Sequence, residues 1–408
     1  MTSRAMQHVR HLSVDVGPRP VGSAANHAAA GYVEDVFRSA GLEVERQAFA
    51  CPDWVAEDTL LELDGRRLAA AANAFSPSCD VTAPAVPVGT EAELEAADLA
   101  GRIGLLYGDL TKGHGLSCRH GVYFPERDDK IMQALEAKGP LAVITVHSKI
   151  GSLERLLRDW DFPIPSATVP AEVGLALLGH PDPSLHLRIE VHQSPAHASN
   201  VVARKAGAGT GRILLLAHLD TMHDTPGAID NASGVAILLA LAEALASRSL
   251  RLGLEWIAVN GEENGGLGDV EYLRRHGDAL GRALALVNVD GVGGRVGVNS
   301  LAVMGASQAF EAQVARVHGR YPGVVRVDPW YESDHSAFLF RGVPCIPLSS
   351  VGVANINHLP ADTIEWIGPG KLDEVVSLVI ALIESLEARS PAWCRQPEAA
   401  NSAGPHDD

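Results

Sequence analysis

Beyond Ser199, near-continuous apolar runs alternate with apolar helical segments, and no other feature of the chain limits its possible folds so strongly. RILLLAHLD (212–220), SGVAILLALAEALAS (233–247), RLGLEWIAVN (251–260), a helical stretch near 270–275 and ALALVNVD (283–290) follow in strand, turn, helix order. Strands that are apolar on both sides need cover on both faces, and the intervening helices supply it. The pattern therefore predicts an α/β fold with a mostly parallel central sheet and helices on both faces.

The remainder of the chain has a different texture. Residues 26–40 carry Ala29, Val33, Val36 and Phe37 at helical spacing and stop at Gly41, a natural left-handed cap. Gly17-Pro18-Arg19-Pro20-Val21-Gly22-Ser23 before them is too rich in Pro and Gly for regular structure and reads as an ordered lead-in loop. From 51 to 187 short strand-like runs (60–63, 103–107, 141–146) and one helix (129–138) are separated by Pro, Gly and Asp clusters, which indicates a smaller strand-rich inserted domain. A chain of 408 residues is too long for one core. The expected divisions are 1–50 as the first part of the main domain, 51–187 as the insert, 188–390 as the rest of the main domain, and a polar, aperiodic tail at 391–408, expected to be disordered.

Charge and cysteine usage exclude several classes. The formal net charge is −17 and no Lys/Arg run offers a phosphate-tracking surface, so nucleic acid is not an expected partner. The first seventeen residues lack the apolar core of a secretory leader, and no uninterrupted apolar run reaches the ~18 residues of a membrane span. Cys51, Cys79, Cys118, Cys345 and Cys394 are odd in number and scattered, which suits reduced thiols. These features predict a cytoplasmic protein that does not engage a membrane. Its oligomeric state is not encoded in any pattern of the sequence.

In open parallel sheets, ligand sites form beyond the carboxyl ends of the strands. One apolar run ends in His218-Leu219-Asp220, another in Glu262-Glu263 and a third in Asp290, while Asp230 and His358 occupy the turn-rich segments PGAIDNASG and NINHLPADT. Taken singly, each has an ordinary structural role: a loop pair, a solvated helix start, an N-cap. Together, five carboxylates converging at strand ends would repel one another unless cations neutralised them.

His218-x-Asp220, Asp230-Asn231-Ala232-Ser233-Gly234, Glu262-Glu263, Asp290 and His358-x-Pro-x-Asp-Thr, in this order, resemble the M28 metallopeptidase set. The likeness covers about 211–367, and GPRPVGS with the helix after it extends it to the N-terminus. M20 hydrolases share His-x-Asp and Glu-Glu, but DNASG stands where they carry Asp-x-Lys-Gly. Within the insert, DLAGRIGLLYGD, KIMQALEAKGPLAVITV and FPIPSATVPAEVGLALL resemble the protease-associated insert of some M28 peptidases.

The resemblance implies a zinc-exopeptidase-like fold and a co-catalytic site for two zinc ions. His218 and Asp290 would hold one ion, Glu263 and His358 the other, and Asp230 would bridge them. Asp220 would accept the second imidazole N–H of His218, and Glu262 would be the general base. A non-proline cis peptide between Asp230 and Asn231 is also implied. Ser233 lacks a nucleophile-elbow context and reads as the start of the next helix. Asp334 and His335 would shape the cleft or form an internally bonded loop, and His223 and Asp224 lie near the motif without an assigned role. Asn357 departs from the family, which often has Tyr there to help hold the oxyanion.

An acidic site suits a free α-ammonium, so the expected substrate is a peptide or small amide and the expected activity that of an aminopeptidase. A carboxypeptidase or acyl-amino-acid hydrolase would need a cationic fork, for which Arg326 and Arg341 are the available residues. A glutaminyl-cyclase-like transferase and a metal-free binding module complete the alternatives.

Overall fold

The computed structural model describes residues 3–395 apart from 113–114, 117–118 and 123–124. It divides into two compact units, Met1–Phe49 with Ala198–Asp408, and Ala50–His197. The expected boundary at 187 falls inside a strand, β1 (Ser184–Lys205), so the division is drawn later, at His197. The first half of β1 pairs with Cys79–Val88 in the smaller unit, and its second half belongs to the sheet of the larger one.

The larger unit is built on β1, β2 (Arg212–His218), β3 (Gly253–Val259), β4 (Ala283–Val289), β5 (Val298–Leu301), β6 (Val324–Arg326) and β7 (Cys345–Val351). Their order is β6-β5-β7-β4-β2-β3-β1. The four central strands are mutually parallel, whereas β1 and β5 join antiparallel. Val259 lies opposite His218 and Asn288 opposite Leu216, so the carboxyl ends of β2, β3 and β4 finish at nearly one level.

Both sheet faces are dry, as the uninterrupted apolar strands require. Ile213, Leu215, Ala217, Trp256, Ala258 and Val287 pack into one core with the helices α1 (Arg4–Arg10), α2 (Ala24–Ser39), α3 (Gly234–Leu245), α5 (Gln308–His318) and α7 (Pro369–Leu386). The alternate residues Leu214, Leu216, Ile257 and Leu286 are equally buried. Beside them α4 (Leu267–His276) packs on β3 and α6 (His335–Leu339) on β4 and β7, with Tyr272 and Phe338 meeting at a ring distance of 5.4 Å. The segment Ala228–Leu245 is long and apolar enough to cross a membrane by composition, but 83% of it is buried. Its hydrophobicity therefore serves a core that surrounds it on all sides.

The helix expected over 26–40 starts two residues earlier and ends at the expected glycine. Ser23 Oγ accepts the Asn26 N–H to start α2, and Gly41 with φ +81° follows its end. The smaller unit has its own parallel strands Cys79–Val88, Ile103–Leu106, Ala142–Val146 and Ser166–Val169, and the helix Glu126–Lys138 closes at Gly139 in the left-handed region. Its core contains Val88, Leu94, Leu106, Ile131, Leu135 and Val143. Cys79, Cys345 and Cys394 carry free thiols, while Cys118 lies outside the described residues.

The expected disordered tail begins too early at 391. Pro391–Cys394 forms a helical turn capped by Ser390, because Trp393 packs on Phe310 and under the Arg389 guanidinium and Cys394 is buried. Residues 396–408 lie outside the described residues.

Candidate metal centre

His218, the last residue of β2, is buried, and its Nδ1 lies 3.2 Å from the backbone carbonyl of Asp220. Its Nε2 faces carboxylates, 3.1 Å from Asp230 Oδ1 and 3.4 Å from Asp290 Oδ1. This Nε2 is buried and has no hydrogen-bond partner. The other oxygen of Asp230 is 3.3 Å from His358 Nε2, which is 3.2 Å from Glu263 Oε2. Asp230 thus stands between two imidazoles with one oxygen facing each. Donor atoms of His218, Asp230 and Glu263 all lie within 4.8 Å of one another.

This arrangement fits a divalent cation. Imidazole and carboxylate are the donors that zinc accepts, and an orphaned buried imidazole nitrogen facing two carboxylates is a ligand in waiting. Burial pulls the His218 imidazole down, but Asp290, Asp220 and Asp230 outweigh it and hold the group well above its usual value. Burial likewise disfavours an ionised Asp230, yet His218 and His358 keep it below the usual carboxylate range.

The local backbone explains how the ligands are held. The Asp230–Asn231 peptide is cis, as the family resemblance implied. Asn231 Nδ2 donates to the Val289 carbonyl, and its Oδ1 accepts the amides of Gly234 and Gly291, stitching the turn to the end of β4 on both sides of Asp290. A Cβ on Gly234 would stand 2.1 Å from the Val289 carbonyl oxygen, so this position of DNASG requires glycine. Ser333 Oγ donates to Asp290 Oδ2 at 2.8 Å. Ser233 lies in the helical turn, where its hydroxyl donates to the Ile229 carbonyl and accepts the Val292 amide, a structural use.

Asp220 departs from its expected role. Its carboxylate lies 3.7 Å from His218 Nδ1 and instead accepts the amides of Gly261, Glu262 and Glu263 at 2.7, 3.2 and 3.2 Å. The turn after β3 presents three N–H groups to one carboxylate, a stronger claim than one imidazole. Asp220 therefore orients the two glutamates. Glu263 is buried beside His358, while Glu262 is partly exposed; burial, followed by Asp334, Glu263 and Asp290, raises the Glu262 carboxyl well above its usual range despite the opposing pull of His218.

In the Ser333-Asp334-His335 segment, His335 follows the internally bonded reading. His335 is fully buried and internally bonded, to the Trp330 carbonyl through Nε2 and to Asn288 through Nδ1. Burial lowers its pKa, so it is a neutral structural residue. Asp334 is buried, and burial followed by the charge of Asp269 raises its carboxyl.

Two residues without an assigned role in the sequence reading also belong to this region. Asp362 Oδ1 and Oδ2 accept the amides of Ile229 and Asp230 at 2.8 and 2.9 Å, so the loop carrying His358 clamps the turn carrying Asp230. Its signal was the Asp four residues after His358 in HLPADT. Arg19, in the lead-in loop, is fully buried. His358 itself has φ +62°, a conformation that non-glycine residues seldom adopt outside functional loops.

Several known proteins are similar to this chain. The sequence model described as Peptidase family M28 matches residues 200–383. The chain is 27% identical over 399 residues to Aminopeptidase YwaD of Bacillus subtilis, covering 93% of this chain and 83% of the relative. Among solved structures it resembles an aminopeptidase from Aneurinibacillus sp. strain AM-1, with TM-score 0.77, 26% identity, and 95% and 94% of the two chains covered. A zinc aminopeptidase from Bacillus subtilis superposes with TM-score 0.76 at 24% identity over 97% and 98% of the chains, a likeness of fold.

Proposed function

We propose that this chain, whose residues 200–383 match the model of peptidase family M28, is a member of that family and a zinc-dependent aminopeptidase with two ions at the centre described above. The observation that carries the two-ion reading is Asp230, whose two oxygens each face a different imidazole. His218 and Asp290 would hold one ion, Glu263 and His358 the other, with Asp230 between them. Bound zinc would polarise the scissile carbonyl and make a water molecule acidic enough to attack at neutral pH.

The chain's own residues supply the rest. Glu262, held by the Asp220 clamp on its backbone, takes the proton of the attacking water and passes it to the leaving amine. Asp220 and Asp362 fix the backbone around Glu263 and Asp230, so that the ligands need little reorganisation. The Asn357 amide is available to donate to a developing oxyanion, the task of the family's frequent Tyr. The local excess of carboxylates favours a substrate with a free α-ammonium, so peptides and small amides with a free amino end are the proposed partners.

The test is a panel of free and N-blocked dipeptides and aminoacyl-anilides with the zinc-loaded protein, beside its zinc content. Hydrolysis of free but not blocked substrates with two zinc ions at saturation is expected. Turnover of C-terminal residues from blocked peptides would overturn the aminopeptidase reading, and saturation at one ion would overturn the two-ion centre.

A further inference from the structure

We propose that Arg19 is a positioning residue of the metal centre: its buried guanidinium fixes the two backbone stretches that carry His218 and Asp230 and sets how tightly the centre holds zinc. The proposal rests on the zinc reading above.

Arg19 is 0% exposed and precedes residues 200–383, the stretch that the family model matches. All its side-chain hydrogen bonds go to backbone carbonyls. Nε donates to Leu219 O at 2.7 Å, between His218 and Asp220, and one terminal nitrogen donates to Pro226 O at 2.8 Å. That nitrogen also reaches Leu12 O and Gly17 O, both at 3.3 Å, and the other reaches Gly227 O at 3.1 Å, three residues before Asp230. One rigid fork thus spans the end of β2 and the turn before the bridging carboxylate. Lysine cannot do this, because its single nitrogen cannot hold both stretches in one plane.

The main chain of Arg19 is tied to the same region. Its amide donates to Thr221 Oγ1, and its carbonyl accepts from Asn26, whose side chain exchanges hydrogen bonds with Asn260 just before the Glu262-Glu263 turn. On the opposite side Asp362 holds the amides of residues 229 and 230. The 226–230 turn is consequently gripped at its carbonyls by Arg19 and at its amides by Asp362.

A buried cation with no carboxylate in hydrogen-bond contact is costly unless surrounding charge compensates it. Here the compensation is collective, because Asp220, Asp362, Asp230 and Glu263 all favour the charged guanidinium. Burial lowers it to about 10, so it remains a cation at neutral pH.

Arg19→Lys keeps the charge and removes the fork. Zinc affinity measured by competition with a chromogenic chelator should fall at least ~10-fold, the scale for groups that orient metal ligands. The thermal shift between zinc-free and zinc-loaded protein should shrink with it. Arg204→Met breaks an ion-pair set with Glu45 and Glu255 and should lower zinc-free stability while leaving zinc affinity intact. If Arg19→Lys lowers zinc-free stability alone, with affinity unchanged, the inference is overturned. A second measurement needs only the wild-type chain: zinc should slow hydrogen exchange in residues 12–23, since coupling between two sites is reciprocal. Unchanged exchange there also overturns it. Wild-type protein that binds no zinc fails the proposed function itself, an outcome distinct from either.

Discussion

Glu262 and Glu263 are neighbours with different surroundings, and the difference comes from the backbone beneath them. Asp220 holds their two amides and that of Gly261, which itself has φ +80°, so the chain turns sharply and the two side chains enter different environments. Glu263 faces His358, whereas Glu262 keeps partial exposure. Glu262→Gln should therefore lower turnover by at least ~10²-fold with both metals retained. Glu263→Gln should lose metal together with activity, because a neutral amide is a poor substitute for an anionic ligand. Steady-state rates and zinc stoichiometry on the same preparations distinguish the two, and exchanged signatures would show that the roles are reversed. At this scale the sequence marked the participants well and the hydrogen bonds less well. Asp220 was legible as part of His-x-Asp, but its partners are amides 41 to 43 residues away, which only the parallel pairing of β2 with β3 brings alongside.

The turn into α3 shows how an element delivers a ligand. Asn231 binds the end of β4, and Gly234 lets the helix start pass against the Val289 carbonyl. Gly234→Ala would place a methyl group at 2.1 Å from that oxygen, so either α3 or the end of β4 must move. Overpacking of this kind costs about 1–3 kcal/mol. The displaced strand end carries Asp290, so weaker zinc retention should accompany the lower melting temperature. Full zinc affinity in a destabilised Gly234→Ala protein would show that the close approach serves packing alone. Element types and the end of α2 were legible, the latter because Gly41 carries a strong local preference. Strand lengths were not. Glu43–Leu63 and Ser184–Lys205 run far beyond any alternating apolar pattern, since their pairing is decided by distant segments.

At the scale of the whole molecule, the metal-free protein contains buried carboxyls that only protonation can neutralise. Burial, above all, pushes Asp269 up to about 7, and its neighbour Asp334 is raised as well. In the unfolded chain an Asp titrates near ~3.9, so folding favours the protonated form. The resulting stabilisation is complete below about pH 4 and is lost as pH rises through about 7. Melting temperatures of zinc-free protein should therefore decline across that window, and Asp269→Asn should flatten the decline. An unchanged slope in the variant would assign the effect to another group. Zinc acts on the same balance, because a ligand of the native state stabilises it by about 2.7 kcal/mol at a hundredfold excess over its dissociation constant. Chelation should lower the melting temperature reversibly, and a chelator-insensitive transition would place the metal outside the folding equilibrium.

The sequence by itself determined the α/β class and the chemistry of the centre. Apolar runs such as 213–217, alternating with apolar helices, indicate strands covered on both faces, and carboxylates converging at several run ends need cations to neutralise them. Tertiary structure alone decided which donor meets which acceptor. Arg19 and Leu219 lie 200 residues apart, and Asp362 and Asp230 lie 132 apart, so no local preference relates them. Position 391 read as tail for the same reason: Trp393 and Cys394 are ordered by packing on distant elements, and composition does not carry that information. Local propensity and periodicity act over a few residues, whereas the hydrogen bonds that shape this centre form only after the sheet has brought its strand ends to one level.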